Sequence, residues 1–117
     1  MLWKIGKIGK DQTIDFAAEE LRRYLLMIDT SSEVAILSFN RFLPHLQDVL
    51  WLAISDDLAT SVYDPALDDA FSIDIRSGCG SILGSNPRSV LFGVYRFLRA
   101  AGCAWVRPGF DGEIILQ

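Results

Sequence analysis

The stretch Phe71-Ser72-Ile73-Asp74-Ile75-Arg76-Ser77-Gly78-Cys79-Gly80-Ser81-Ile82-Leu83-Gly84-Ser85-Asn86-Pro87-Arg88 packs four structural signals end to end. Phe71 to Ile75 alternates large apolar and polar residues, the period of a half-buried strand. Ser77-Gly78-Cys79-Gly80 is turn chemistry, and Ser81 to Gly84 reads as the strand that returns from it. The run Gly78-Cys79-Gly80-Ser81-Ile82-Leu83-Gly84 also invites reading as a phosphate loop. Ile82 and Leu83, however, separate its first glycines from the following helix, so a hairpin is the better reading. Asn86 then offers a side-chain acceptor to the first free helical N–H groups, and Pro87 stands where its missing N–H costs nothing.

From that start, Val90, Leu91, Val94, Phe97, Leu98 and Ala101 recur at helical spacing as one apolar stripe. Gly93 interrupts it at a cost of about 1 kcal/mol relative to alanine, which marks the close approach of another backbone. Gly102 supplies a left-handed stop. Cys103 to Gly109 reads as an extended segment closed by Pro108-Gly109, and Gly112 to Leu116 as a last strand.

Upstream, Leu2 to Ile8 suits a half-exposed first strand, and Gly9 to Gln12 a turn. Asp11 or Thr13 caps a helix that places Ile14, Ala17, Ala18, Leu21, Leu25 and Ile28 on one face, with Glu19, Glu20, Arg22 and Arg23 off it. Glu33 to Phe39 reads as a strand. Asn40 to Asp48, broken by Pro44, reads as a loop with a helical turn at most. Val49-Leu50-Trp51-Leu52-Ala53-Ile54-Ser55 is nearly all apolar, as suits a central strand covered on both faces, or on one face plus a partner domain. Asp56 to Asp69 reads as a solvated loop or an irregular connection with a helical turn. The pattern as a whole is a single α+β domain over residues 1–117, a mixed sheet of about five strands with two amphipathic helices packed on it.

Half of the 117 residues are apolar, enough for a core of its own. A net charge of -4 and an isoelectric point near 4.8 argue against nucleic acid or an anionic membrane as the main partner. No apolar run reaches the roughly 18 residues of a membrane span, and Met1 to Lys7 lacks the features of a secretory signal, so a cytoplasmic location is the default expectation. Cys79 and Cys103 are too few for a disulfide scaffold and read as free thiols.

No metal-ligand cluster, nucleophile elbow or cofactor loop emerges, so no catalytic, cofactor-binding or metal-binding residue is expected. Asp56, Asp57, Asp64, Asp68 and Asp69 supply carboxylates, but without the apolar surroundings that would raise a pKa they read as surface solvation. His45, alone in a loop after Pro44, reads as an ordinary surface or packing histidine. Arg88, Phe92, Arg96 and Arg99 fall near one line of the second helix. Two readings stand for that line, a solvated face or a surface that docks a following domain through guanidinium–carboxylate pairs around Phe92. Trp3, Trp51 and Trp105 read as core, with sugar stacking the alternative if they are exposed.

The order Phe71 to Ile75, Ile82-Leu83-Gly84-Ser85-Asn86-Pro87-Arg88, Leu91-Phe92-Gly93-Val94-Tyr95-Arg96-Phe97-Leu98, Gly102, Trp105, Pro108-Gly109 resembles the small N-terminal domain that precedes the catalytic barrel of some glycoside hydrolases. The α-glucuronidases of family 67 and the β-N-acetylhexosaminidases of family 20 are the relatives in question, and Phe16 to Leu25 is similar to that domain's first helix. Many relatives have an arginine just before the tryptophan, where this chain has Ala104. The resemblance implies a non-catalytic accessory domain, with acid and base residues in a following catalytic domain of the same chain and carbohydrate as a further partner. The ending on an expected strand without a polar tail is what a domain boundary looks like. The alternative is a self-contained module that binds carbohydrate or protein.

Overall fold

The computed structural model describes residues 2–101. Eight elements follow in the order β1 Leu2–Ile8, α1 Gln12–Ile28, β2 Glu33–Phe39, β3 Leu50–Ile54, α2 Asp56–Ser61, β4 Phe71–Arg76, β5 Cys79–Gly84 and α3 Pro87–Ala100. The strands form one mixed sheet in the order β2-β1-β3-β5-β4. β1, β2, β3 and β5 run parallel, and β4 joins β5 antiparallel at the edge. The α+β architecture with two long helices on a mixed five-stranded sheet is therefore the one read from the sequence.

Local chemistry sets each helix start. The Asp11 carboxylate accepts from Thr13 N at 2.8 Å and Ile14 N at 3.3 Å, which starts α1. Asn86 Oδ1 accepts from Ser89 N at 2.8 Å with Pro87 in the first turn, which starts α3. Ile14, Ala17, Ala18, Leu21 and Leu25 of α1 meet Val90, Val94 and Leu98 of α3 over Ile5, Leu50, Leu52 and Ile82 of the sheet, all buried. Each fully buried Leu, Ile or Val there contributes about 1.5–3 kcal/mol. Trp3 stands edge-on to Phe97, ring centroids 6.4 Å apart, at the far end of this layer. Between the helices, the Tyr95 hydroxyl donates to Glu20 Oε1 at 2.7 Å while Arg23 Nε donates to Glu20 Oε2 at 2.9 Å. Burial and the neighbouring Glu20 push the Tyr95 hydroxyl well above its ordinary pKa, so it stays a donor.

Several boundaries move. The hairpin turn narrows to Ser77-Gly78, because Arg76 already pairs with Cys79. Both turn residues have positive φ, 55° and 81°, as a two-residue loop between right-twisted strands requires. The stretch from Asp56 contains a short helix, α2, capped by Ser55 Oγ on Leu58 N at 3.3 Å. Gly93 makes room for side chains and not for a second backbone: a Cβ there would come within 2.6 Å of Ile82 Cγ2 and 3.5 Å of Phe71 Cδ2. The close backbone approach occurs at Gly84, where a Cβ would lie 2.6 Å from Val90 N. The expected stop at Gly102, the extended segment Cys103 to Gly109 and the last strand Gly112 to Leu116 lie outside the described residues.

Candidate functional site

Both long helices lie on one face of the sheet, and the pleat sends alternate residues to the other. Leu50 and Leu52 of β3 go to the helices; Val49, Trp51 and Ala53 face away. The loop after β2 crosses this second face. It is fastened by the Lys4–Asp48 ion pair and by Phe42, whose ring stands 5.1 Å from that of Trp51. Phe39 closes on the same indole at 4.9 Å. Gly6 lies beneath, where a Cβ would meet Val49 Cγ1 at 2.6 Å, so a larger residue would lift Val49 and Trp51 from the sheet. The result is a groove of about 650 Å³ bounded by the loop, β3 and β5, with Phe42, Leu46, Ala53 and Leu83 among its apolar walls.

Polar groups at the groove are few. Asp74 and Ser81 are register partners on β4 and β5 and both reach it, with Ser55 and Gln47 at its margins. Among the described residues Asp74 is the only carboxylate on its walls. A glycosidase requires two carboxyl groups about 5 to 10 Å apart across the bond it breaks, and the described residues of this groove do not offer a pair. Among the described residues no three metal-ligating side chains cluster. His45 lies exposed in the crossing loop. Cys79 is unpaired in a disulfide, its Sγ directed to the Arg76 carbonyl at 3.2 Å, while Cys103 is outside the described residues.

A second polar centre sits at the start of α3, and sequence reading did not find it. Asp69 accepts from Arg88 Nε at 3.0 Å, from Asn86 Nδ2 at 3.0 Å and from Ser89 Oγ at 3.0 Å. Arg88 Nη2 also donates to the Ala66 and Leu67 carbonyls, each at 3.2 Å. Ser85 Oγ accepts from Ala70 N at 2.9 Å and donates to the Asp68 carbonyl at 3.1 Å. These bonds strap the connection between α2 and β4 onto the helix terminus, with the Asp69 carboxylate as the anion at that terminus. Asp64, Asp68 and Asp69 thus build the connection, and are not merely solvated. Asp68 Oδ2 accepts from Asp64 N at 2.8 Å, and Asp64 Oδ1 from Ala66 N at 3.0 Å.

The Arg88 guanidinium, with Asn86 and Ser89, holds the Asp69 carboxyl below the ordinary aspartate range. A depressed folded-state pKa stabilises the fold fully above the unfolded value of about 3.9, and the contribution disappears as pH falls through the lowered folded value. Asp69→Asn is therefore expected to lower the melting temperature at neutral pH and to flatten its fall below about pH 4. Thermal melts of both proteins across that range check this.

Arg88, Phe92, Arg96 and Arg99 are all exposed on the outer side of α3. Arg88 is committed to Asp69 and the loop carbonyls. Trp51 is only 3% exposed and Trp3 half-buried, while Trp105 is outside the described residues. No helix among the described residues is long and apolar enough to cross a membrane. Neither a protein-family model nor a curated protein matches the chain.

Proposed function

We propose that this chain is the non-catalytic N-terminal domain of a carbohydrate-active glycoside hydrolase of the α-glucuronidase or hexosaminidase kind, and that it supports a catalytic barrel through the helix-free face of its sheet. The observation that carries the reading is the asymmetry of that sheet. One face is sealed by α1 and α3, whereas the other presents the apolar groove, with a single carboxylate on its walls among the described residues. An apolar face of this kind suits packing against another domain, and the resemblance of Phe71 to Leu98 to such accessory domains supplies the kind of neighbour. Acid and base would come from the barrel.

Burial of Trp51 under Phe39 and Phe42 favours support over sugar recognition, since a stacking platform must present an open ring face. Titration with xylo- and chito-oligosaccharides is expected to leave tryptophan fluorescence unchanged; saturable quenching would favour the binding-module alternative. The deciding experiment reads the natural gene past the codon for Gln117. An open frame encoding alternating strands and helices of a barrel supports the proposal, and a stop codon at that point overturns it. In the full-length protein, Ala53→Glu would then lower the melting temperature of the barrel as well as that of this domain.

A further inference from the structure

β4 is an edge of the sheet, with no strand beyond it among the described residues. Its backbone bonds alternate. Ser85 N donates to the Ala70 carbonyl at 2.8 Å, so Ser72, Asp74 and Arg76 exchange bonds with β5, while the N–H and C=O groups of Phe71, Ile73 and Ile75 point outward. Edges of this kind are commonly blunted by proline, lysine, a bulge or a covering segment. Phe71–Arg76 holds no proline or lysine, and its pairing runs unbroken from Phe71↔Gly84 to Arg76↔Cys79.

The side chains divide by face. Phe71 lies against α3 at Gly93 and is 40% exposed, and Ile73 and Ile75 pack on the core beneath the helices. Ser72, Asp74 and Arg76 stand exposed, on the side of the groove. A strand added at this edge must therefore alternate, apolar toward the helices and polar toward the groove.

β4 itself meets that demand. Turned about a two-fold axis through Ile73, a second β4 lies antiparallel to the first, with Phe71 opposite the partner's Ile75 and Ser72 opposite the partner's Asp74. The Phe71–Ile75 and Ile73–Ile73 pairs then exchange both of their bonds, and no outward group of those residues is left over. Phe71 gains a β-branched neighbour, and the Ser72 hydroxyl a carboxylate to bond. Asp74 keeps its own Arg76 at 3.7 Å, which offsets the second carboxylate across the axis. An axis at Ile75 would instead pair Ile73 with Ser77, whose φ of 55° belongs to the turn. Cys103-Ala104-Trp105-Val106 and Ile114-Ile115-Leu116 are apolar without alternation, and either would set an apolar side chain beside Ser72 and Asp74.

We propose that this protein self-associates through β4, two copies joining their sheets into one about a two-fold axis at Ile73. The inference does not rest on the glycoside hydrolase reading, which concerns the face of the sheet and not its edge.

Sedimentation equilibrium of the 117-residue chain, with amide hydrogen exchange read residue by residue, tests it. A reversible dimer is expected, and the amides of Phe71, Ile73 and Ile75 should gain protection between about 10 μM and about 1 mM protein while those of Ser72 and Asp74 are protected throughout. Ser72→Asp sets like charges opposite each other twice across the axis and should weaken the dimer roughly tenfold; Ser72→Lys faces the partner's Asp74 and should tighten it. Both variants should melt near the parent at micromolar concentration, because Ser72 is exposed. A chain still monomeric at about 1 mM, a dimer that leaves the three outward amides unprotected, or the same response to both Ser72 variants would each overturn the proposal. Protection of those amides that does not vary with concentration would overturn it too, by showing that the chain's own residues cover the edge.

Discussion

Gly80→Ala is expected to be the most damaging single-methyl change among the described residues, destabilising by at least about 3 kcal/mol. Gly80 adopts φ 135°, a region that side chains rarely enter, as the second residue of β5 after the hairpin turn. A Cβ there would be driven into the Asp74 carbonyl oxygen and within 3.0 Å of Ile75 Cα, both backbone atoms of the paired strand. Neither can yield without opening the β4–β5 ladder, and β5 is also the strand that bonds to β3 through Leu50↔Gly80 to Ile54↔Gly84. Chemical denaturation should show a large fall in midpoint, or no folded protein at all. Ser77→Gly in the same hairpin is the informative partner. Its residue already has φ 55°, so glycine relieves strain there and the effect should be small. If alanine were tolerated at position 80, the steric account of this strand pair would be wrong.

That contrast also shows what sequence could and could not reveal. Asn86-Pro87 announced the start of α3 because capping is local, and the stripe from Val90 to Leu98 announced its buried side. The apolar run at β3 announced a central strand, and its two sides do divide between the helix layer and the groove. Gly93 was legible only as a tight place, since whether a backbone or the Ile82 and Phe71 side chains come close depends on how α3 crosses the sheet. The groove was not legible. It exists because β2 and β3 lie on opposite sides of β1, which sends the connecting loop across the face the helices leave open. Nor was the Asp69 strap, whose partners lie 17 to 20 residues away and meet only after the β4–β5 hairpin folds back.

The candidate surfaces follow from the same topology. α1 and α3 must share one face of the sheet to bury their single stripes against each other, and this turns Phe92 and Arg96 outward. Among the described residues the opposite face is then left with one irregular loop as its cover, and an extended loop has fewer apolar side chains to offer than a helix. Variants at Phe92 and variants at Ala53 should therefore act additively, because the sites lie on opposite sides of the molecule and share no partners.

Asn86 is the residue on which the α3 terminus and the acidic connection both depend, and its two variants should separate those roles. The side chain is only 9% exposed and uses both ends. Its oxygen accepts from Ser89 N, and its nitrogen donates to the Pro65 carbonyl at 2.8 Å, the Asp68 carbonyl at 3.3 Å and Asp69 Oδ1. Asn86→Ala removes a helix cap, at about 1 kcal/mol, and strips a donor from part-buried carbonyls, at about 1–3 kcal/mol. A total of about 3 kcal/mol corresponds to a drop in melting temperature on the order of 10 °C for a domain of this size. Asn86→Asp keeps the capping oxygen and adds a favourable charge at the helix start, so a pure capping role predicts near-parental stability. The donated bonds predict the opposite. The introduced carboxylate would face Asp69 Oδ1 at hydrogen-bond distance, and two like charges there raise the pKa of one of them. Stability of Asn86→Asp should then be poor at neutral pH and rise as pH falls toward about 5, where a shared proton restores a donor. Asn86→Ala should show no such recovery. Melts at pH 7 and pH 5 decide the matter: recovery confined to the aspartate variant assigns the strap to the Asn86 donors, and equal stability of that variant and the parent at both values assigns everything to the cap.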